Sequence, residues 1–596
     1  MLKIKAAAVA KITRPSYLKV LDRKRLFTLL DRCRKRQAVW IAGPPGSGKT
    51  VLVSSYIEKK GLPAIWYQVD PGDSDAATFF YYMRLAAQKA VPRKKTRLPL
   101  LTPEYIPGIR AFTKRFFEGL YATVKAPFCL VFDNYHEVGG SIFHRIIKDG
   151  LEVVPEGVSV IFLSRSGPPA EFTRLRVSGA MEVVDRDELD LTAEEARAIT
   201  RIKSGPAITK QAASEMHKRT EGWAAGLILM LEQVKNGVAG IEDFKEMTPK
   251  AIFDYFLSEI FQNMDDDTRT VLLKTAFLPD MDSRMAEKLT RLPGAGEILS
   301  RLNRNNYFTE RRFQVNPVYQ YHPLFKEFLL AKARESFTGA DIMGLLRKAA
   351  EILEESAKYE DAFKLLRDAG DWEGVSRLIV SHAGSLVSQG RWAVLETWIR
   401  SVPPETLSED PWLRYWLGAC GMQTNPDGAR KDFEAAYGIF AGEGTDVAGI
   451  FLSWCGAVNT FLYAWRDYHP LDGWIAGFEG LRKRYGEPLP EEIEDNIAAC
   501  VFGALMFRQP SHPDLPVWEE RVKQILHRSK DEVGRMSVGH NLILYYLWTG
   551  RNSKAGLVIE TLSPAFKGLN APPLAELMWH FSRALYYYHM ASTGTP

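Results

Sequence analysis

The sequence predicts a multidomain chain, an α/β unit built on a parallel sheet followed by an all-helical remainder that closes in an α-solenoid. Three observations carry this reading. Short continuous apolar runs alternate with helical patterns from Ala38 to Val184, as strands buried on both faces require. Beyond that stretch the apolar spacing is helical. Finally, Trp372, Trp392 and Trp412 recur at a spacing of 20, and repeated short helices of this kind stack into solenoids.

The elements follow in order. AVWIA (38–42) is a short strand before a glycine-rich loop, and a helix spans Lys49 to Lys60. AIWYQVD (64–70), FCLVFD (128–133) and VSVIFLS (158–164) are further strands, MEVV (181–184) is a candidate fifth, and helices fill 75–90 and 108–124. In LTAEEARAI, Thr192 is an N-cap and Glu195, three residues on, completes a capping box. Residues 250–335 read as short helices plus a strand pair at Tyr307–Thr309 and Phe313–Val315, joined by Glu310-Arg311-Arg312. Helices plus a small hairpin suggest a winged helix. From about 341 onward, Trp372–Ile379 and Trp392–Ile399 share one plan with Tyr359–Leu366: an aromatic start, then apolar residues three, six and seven positions later on one stripe.

Composition bounds the function. The chain has 596 residues, 46% apolar and 25% charged, with a net charge of +5. That charge is too mild to mark a nucleic-acid surface. Five scattered cysteines without a CxxC pair point to a reduced, cytoplasmic setting rather than disulfides or structural zinc. The basic run PRKKTR (92–97) reads as a solvated loop. The stretch from Val447 to Trp465 carries no charge, and its length is near that of a membrane span. Its position among similar helical segments favours a buried helix, and no membrane association is expected.

Gly43-Pro44-Pro45-Gly46-Ser47-Gly48-Lys49-Thr50 matches GxxxxGK[ST] between a strand and a helix, the context that gives this pattern its meaning. Backbone N–H groups of such a loop hold phosphate oxygens, the lysine reaches the β- and γ-phosphates of ATP or ADP, and the threonine hydroxyl ligates Mg²⁺. Asp133 ends a later apolar strand, FCLVFD. It suits the same magnesium, or the cap of the next helix. Many nucleotide-hydrolysing proteins carry a second acid next, but here the residue is Asn134. An amide takes no proton, though it can orient water, and Glu137 is the nearest carboxylate beyond it. These two are the catalytic candidates of a slow ATPase. Arg165 closes the fourth strand, as a γ-phosphate sensor or as half of a surface ion pair. His322, in YHPLFKEFL, reads by itself as a helix-start residue.

Together these segments resemble the MalT-type regulators of the STAND class of P-loop ATPases. The matching stretches are ITRP (12–15), RKRL (23–26), AGPPGSGKT (42–50), IWYQVDPGD (65–73), LVFDNYHEV (130–138), VIFLSRSGPP (160–169), LDLTAEEA (189–196), RTEGWAAGL (219–227), YHPLFKEFL (321–329) and RDAGDWEGVSRLI (367–379). The resemblance implies a nucleotide-binding domain at 1–188, a helical lid at 189–245, a winged helix at 246–340, a helical arm at 341–420 and a TPR-like solenoid at 421–596. It also implies that Gly43 to Thr50 bind phosphates, that Asp133 holds magnesium, that Arg165 is the sensor, and that His322 meets the β-phosphate of ADP in a resting state. Gly222-Trp223 stands where many relatives carry Gly-x-Pro.

The implied function is an ATP-dependent signal switch. ADP holds it closed, an inducer on the solenoid together with ATP opens it to self-association, and the output is control of transcription. No LuxR-type helix-turn-helix is recognisable in the chain, so DNA would be reached only through a unit not seen in it. Two rivals stand beside this reading, a stand-alone P-loop kinase and a scaffold with a degenerate nucleotide site. The closing helical stretch, Leu574 to Met590, carries apolar residues on every side. It is expected to be covered by something outside the chain or to fold back on its neighbours.

Overall fold

A computed structural model of the chain describes residues 9–17, 20–92, 98–204, 208–235, 261–262, 264–304, 308–312, 316–485, 493–529, 532–566 and 573–593. It forms two compact units, one of residues 1–98 and 110–371, the other of Pro99–Ile109 and Trp372–Pro596. The division at 371/372 falls inside the expected arm of 341–420. Most of the basic run at 92–97 lies outside the described residues.

In the first unit, strands β1 (Ala38–Ala42), β2 (Ala64–Gln68), β3 (Phe128–Asp133), β4 (Val158–Ser164) and β5 (Met181–Val184) form one parallel sheet in the order β2-β3-β4-β1-β5. The candidate fifth strand is thus an edge strand, and the helices Lys49–Lys60, Ala76–Ala90 and Ile109–Thr123 stand where the apolar spacing puts them. The register sets Gln68 beside Asp133 and Ala42 beside Ser164, so the polar strand ends gather at one edge of the sheet. Strands β3 and β4 are buried throughout, which is why their sequences show no alternation. Rings lock the sheet centre: Trp40 stacks on Phe162 at 5.2 Å, Phe162 on Phe132 at 5.4 Å, and Tyr135 meets Trp40 edge-on at 5.0 Å.

Three helices, Ala193–Ser204, Lys210–Thr220 and Ala224–Lys235, make the lid. Its capping box is formed: the Thr192 amide donates to Glu195 at 3.1 Å and the Glu195 amide to Thr192 Oγ1 at 3.2 Å. The winged helix holds helices Asp266–Thr275, Ser283–Thr290, Ala295–Arg304 and Pro323–Ser336 with an antiparallel pair, β6 (Thr309–Arg312) and β7 (Val318–Tyr321). Here the sequence reading is corrected. Its polarity makes Glu310-Arg311-Arg312 a turn, but the triplet is the body of β6, and the partner strand lies at 318–321. Tyr307 and residues 313–315 lie outside the described residues. The physical reason is Arg312, only 1% exposed. Its guanidinium donates to the carbonyls of Ala10 (2.9 Å) and Thr13 (2.6 Å), so the last charge of the triplet is held inside the fold and draws the strand with it.

Those carbonyls belong to residues 9–17, a strap that ties the winged helix to the sheet domain. Lys11 pairs with Asp70 at 2.5 Å and Asp73 at 2.9 Å. Ser54 Oγ donates to the Pro15 carbonyl at 2.6 Å, the Ser16 amide to the Arg311 carbonyl at 3.2 Å, and the Tyr17 hydroxyl to Glu310 at 3.0 Å.

The second unit is helical. Trp372 and Trp392 each open a helix, and Trp412 is the second residue of Pro411–Gly421. Val447–Ala464 is long and apolar enough to cross a membrane, yet Ile450, Phe451, Trp454, Val458 and Phe461 are buried in the solenoid core. The segment Pro99–Ile109 belongs to this unit: Gln423 donates to Glu104 at 3.3 Å, and a Cβ on Gly390 would meet the Leu101 carbonyl oxygen at 2.4 Å. The final helix, Pro573–Thr593, packs Trp579 and Ser582 inward, while Leu577, Phe581 and Tyr588 are more than half exposed.

Candidate functional site

The phosphate-type loop leaves β1 at Ala42 and enters the helix Lys49–Lys60 through Gly48, whose φ of +85° belongs to the left-handed region that glycine tolerates. A Cβ at Gly48 would meet nothing within 4 Å, so the loop presents bare backbone to an open cradle. Gly46, at φ +76°, is tight instead, because a Cβ there would press on the Ala225 methyl at 2.5 Å. Trp223 explains the approach. Its indole N–H donates to the Pro45 carbonyl at 3.0 Å, and the Ala225 amide donates to the Gly46 carbonyl at 3.1 Å. The lid is hydrogen-bonded to the loop itself.

A cavity of about 310 Å³ opens on this loop. Pro45 to Leu52 form its floor, Asp133, Asn134, His136 and Arg165 one side, and Ala224 and Ile228 of the lid another. Thr309, Glu310, Arg312, Gln320 and His322 come from the winged helix, and Tyr17 from the strap. Thus Gly46, Lys49, Thr50, Asp133, Asn134 and Arg165 of the sheet region meet His322 of the winged helix in one place. Gly43 and Pro44 take part through their carbonyls, which accept from Lys49 Nζ at 2.6 and 2.9 Å. Glu137 is not among the walls. It is exposed, with its carboxylate 3.2 Å from His136 Nε2.

Thr50 Oγ1 donates to Asp133 Oδ1 at 3.2 Å, and the Asn134 amide donates to the same oxygen at 3.0 Å. Asn134 sits in the left-handed region at φ +57°, ψ +38°, which asparagine tolerates better than most side chains. Burial pushes the Asp133 carboxyl up to about 6; Glu310 adds to this, while Arg312 and the Thr50 and Asn134 hydrogen bonds oppose it. Burial draws Lys49 down to about 8, with Asp133 opposing and Arg165 adding. His322 and His136 are each drawn down to about 4 by burial and by the charges of Arg165 and Lys49, so both imidazoles are neutral near pH 7. His322 Nδ1 is buried without a hydrogen-bond partner, and Gln320 Oε1 likewise.

The arrangement fits a polyphosphate. The loop offers N–H groups at a helix start, Lys49 is a cation, and His322 Nδ1 is an unused polar atom on the cavity wall. Among the described residues no group of three or more His, Cys, Asp or Glu side chains could hold a metal. Thr50 and Asp133 are the pair that suits Mg²⁺, which takes few protein ligands when phosphates supply the rest.

Sequence reading missed Tyr17, Trp223, Glu310 and Arg312. Only Trp223 left a signal, in the stretch RTEGWAAGL, which carried no residue-level role.

A phosphate-type loop on a parallel sheet, a helical lid, a winged helix and helical repeats follow one another along the chain. Comparison with known proteins makes the likeness particular. Residues 257–340 match the MalT winged helix domain. The chain is 25% identical over 418 residues to the HTH-type transcriptional regulator MalT of Cronobacter sakazakii (68% of this chain, 46% of the relative). It is 26% identical over 440 residues to that of Vibrio cholerae (70% and 47%). It thus spans about half the length of the curated relatives it matches. A crystal structure of a Signal Transduction ATPase with Numerous Domains carrying a tetratricopeptide repeat sensor, from Pyrococcus horikoshii, shares the fold at a TM-score of 0.61 and 16% identity, covering 97% of this chain and 86% of that one. The chain is similar in sequence to MalT-type regulators and in fold to a STAND ATPase.

Proposed function

We propose that this chain is a nucleotide-dependent signal switch of the cytoplasm, resting with ADP and opening to self-association when ATP and an inducer on the solenoid favour the open form. The observation that carries the reading is a cavity walled by loop, lid and winged helix together. A ligand there touches all three domains, so a change in its phosphates changes the free energy of holding them together. The domain limits at 188, 245, 340 and 420 belong to the same proposal.

Each residue then has a task. Backbone N–H groups from Gly43 to Gly48 and the Lys49 ammonium bind the phosphates. A phosphate beside Nζ favours the charged amine and offsets the desolvation that pulls it toward neutrality. Magnesium, held by Thr50 and Asp133, would supply charge neutralisation of the β- and γ-phosphates. His322 donates through a ring N–H to the diphosphate, and Arg165 reads the outer phosphate. Asn134 orients water but takes no proton, which makes hydrolysis slow. Asn134→Asp is expected to raise turnover with little change in binding, and equal or lower turnover would remove Asn134 from the water. Transcription is the output proposed from the relatives, whose names describe HTH-type regulators, with DNA reached through a unit not seen in this chain.

The test pairs two variants. Lys49→Ala is expected to weaken nucleotide binding by about 10- to 150-fold, the loss of a charge-assisted contact of roughly 1.5–3 kcal/mol. His322→Ala is expected to speed ADP release and to increase self-association without inducer, read by fluorescent-ADP exchange and light scattering. Unaltered affinity in the first variant ends the nucleotide reading. Unaltered exchange and association in the second leave His322 as a helix-start residue.

A further inference from the structure

The winged helix brings a carboxylate as well as a histidine to the cavity. Glu310 stands on β6, 21% exposed at its side chain, and lines the same space as Lys49, Thr50 and Asp133. One of its oxygens accepts from the Tyr17 hydroxyl at 3.0 Å. The other lies 3.8 Å from Arg312 Nη2, but that guanidinium already serves the Ala10 and Thr13 carbonyls through Nη1. Glu310 is therefore fixed in place by a neutral phenol and only loosely paired with a cation. Two carboxylates, Asp133 of the sheet and Glu310 of the winged helix, thus line the same cavity.

We propose that Glu310 is the residue by which the docked winged helix discriminates a nucleoside triphosphate from a diphosphate. This rests on the nucleotide reading above. A diphosphate brings its charge to the loop and Lys49. Even with magnesium bound, a triphosphate carries more negative charge than a diphosphate, and it brings that charge into a cavity that Glu310 also lines. The triphosphate and the docked β6 oppose each other, and the complex lowers its free energy by releasing the winged helix. Like charges set face to face are a general means of excluding the wrong partner. His322 then favours the diphosphate by attraction, and Glu310 disfavours the triphosphate by repulsion.

The experiment measures, by calorimetry on the full chain with Mg²⁺, the ratio of affinities for a non-hydrolysable ATP analogue and for ADP. Glu310→Gln keeps the shape and an acceptor for Tyr17 but removes the charge. The ratio is expected to shift about tenfold toward the triphosphate, within the usual range of coupling between sites. Self-association driven by the analogue is expected to fall in parallel, because the winged helix is no longer expelled. Glu310→Asp, which keeps the charge, is expected to retain the wild-type preference. A Glu310→Gln ratio equal to that of wild type, or one shifted toward ADP as a lost metal ligand would give, overturns the inference while ADP binding by the wild type upholds the site. A wild-type chain that takes up neither nucleotide overturns the nucleotide reading and this inference with it.

Discussion

The sheet-bearing unit and the solenoid differ in the ionisable groups they shift most and in the side chains they expose. In the first, ionisable side chains are drawn out of water: Asp73 and Asp133 are pushed up to about 6, Asp361 to about 7, and Lys49, Lys89 and Lys326 are drawn down to about 8, each with burial as the first cause. In the second, many ions pair near the surface, as in Arg482–Asp514, Arg508–Asp472 and Arg528–Asp495, and the buried carboxylate of Glu519 is matched by Lys523, Arg551 and Lys554. There the exposed large side chains are mostly aromatic, among them Tyr463, Trp465, Trp548, Phe581, Tyr587 and Tyr588, whereas the first unit's are Ile142, Val177, Ile202 and Met343. The difference teaches where each unit is open to influence. Groups held away from their preferred charge state respond to a charged ligand. Exposed rings respond to a surface that covers them.

The largest effect is expected in the solenoid core. Trp454 is 1% exposed, lies tilted against Phe478 with ring centroids 4.8 Å apart and donates to the Trp474 carbonyl at 3.0 Å. Trp454→Ala should cost about 3–5 kcal/mol, read as a lowered denaturant midpoint for the helical signal. A loss under about 1 kcal/mol, the scale of an ordinary substitution, would mean that the solenoid is not a packed core.

The next effect is a gain, in the first unit. The Asp133 proton is bound more tightly in the folded chain, near pKa 6, than in the unfolded chain near 3.8. Its stabilising contribution is therefore complete below about pH 4 and is lost as pH rises through 6. By pH 7 the carboxylate costs on the order of 2–3 kcal/mol. Nucleotide-free Asp133→Asn should be more stable than wild type at pH 7 and no more stable at pH 4, by urea unfolding at both values. Destabilisation of equal size at both would show that the site holds no such tension.

The smallest effect tests the rings. Trp465 is 63% exposed at φ +49°, a conformation asparagine adopts readily. Trp465→Asn should leave stability within about 0.5 kcal/mol of wild type. A larger loss would make this ring part of the core and blur the contrast between the units.

How much was legible follows from the range of the interactions. The sheet showed itself because β3 and β4 are buried on both faces, leaving unbroken apolar runs such as FCLVF. The phosphate-type loop is a contiguous word, and Asp133 stands at the end of such a run. Tyr17 and Glu310 are 293 residues apart, and no local pattern links them. The wing was displaced for a related reason. Glu310-Arg311-Arg312 has the polarity of a turn, and only the distant carbonyls of Ala10 and Thr13 make Arg312 an interior residue. Trp223 reads as one more lid aromatic until its indole is seen on Pro45.

The segment Pro99–Ile109 issues from the chain between β2 and β3 yet belongs to the solenoid's unit, with Leu101 filling the space beside Gly390. The polypeptide therefore crosses from one unit to the other, returns, and crosses again after Asp371. Scission at 371 does not yield two self-sufficient halves. The amino-terminal piece keeps an orphaned loop, and the carboxyl-terminal piece loses the strand of chain that lies against Gly390 and Gln423. Dissecting this molecule is a problem of excision and religation around residues 99 to 109, not of a single cut.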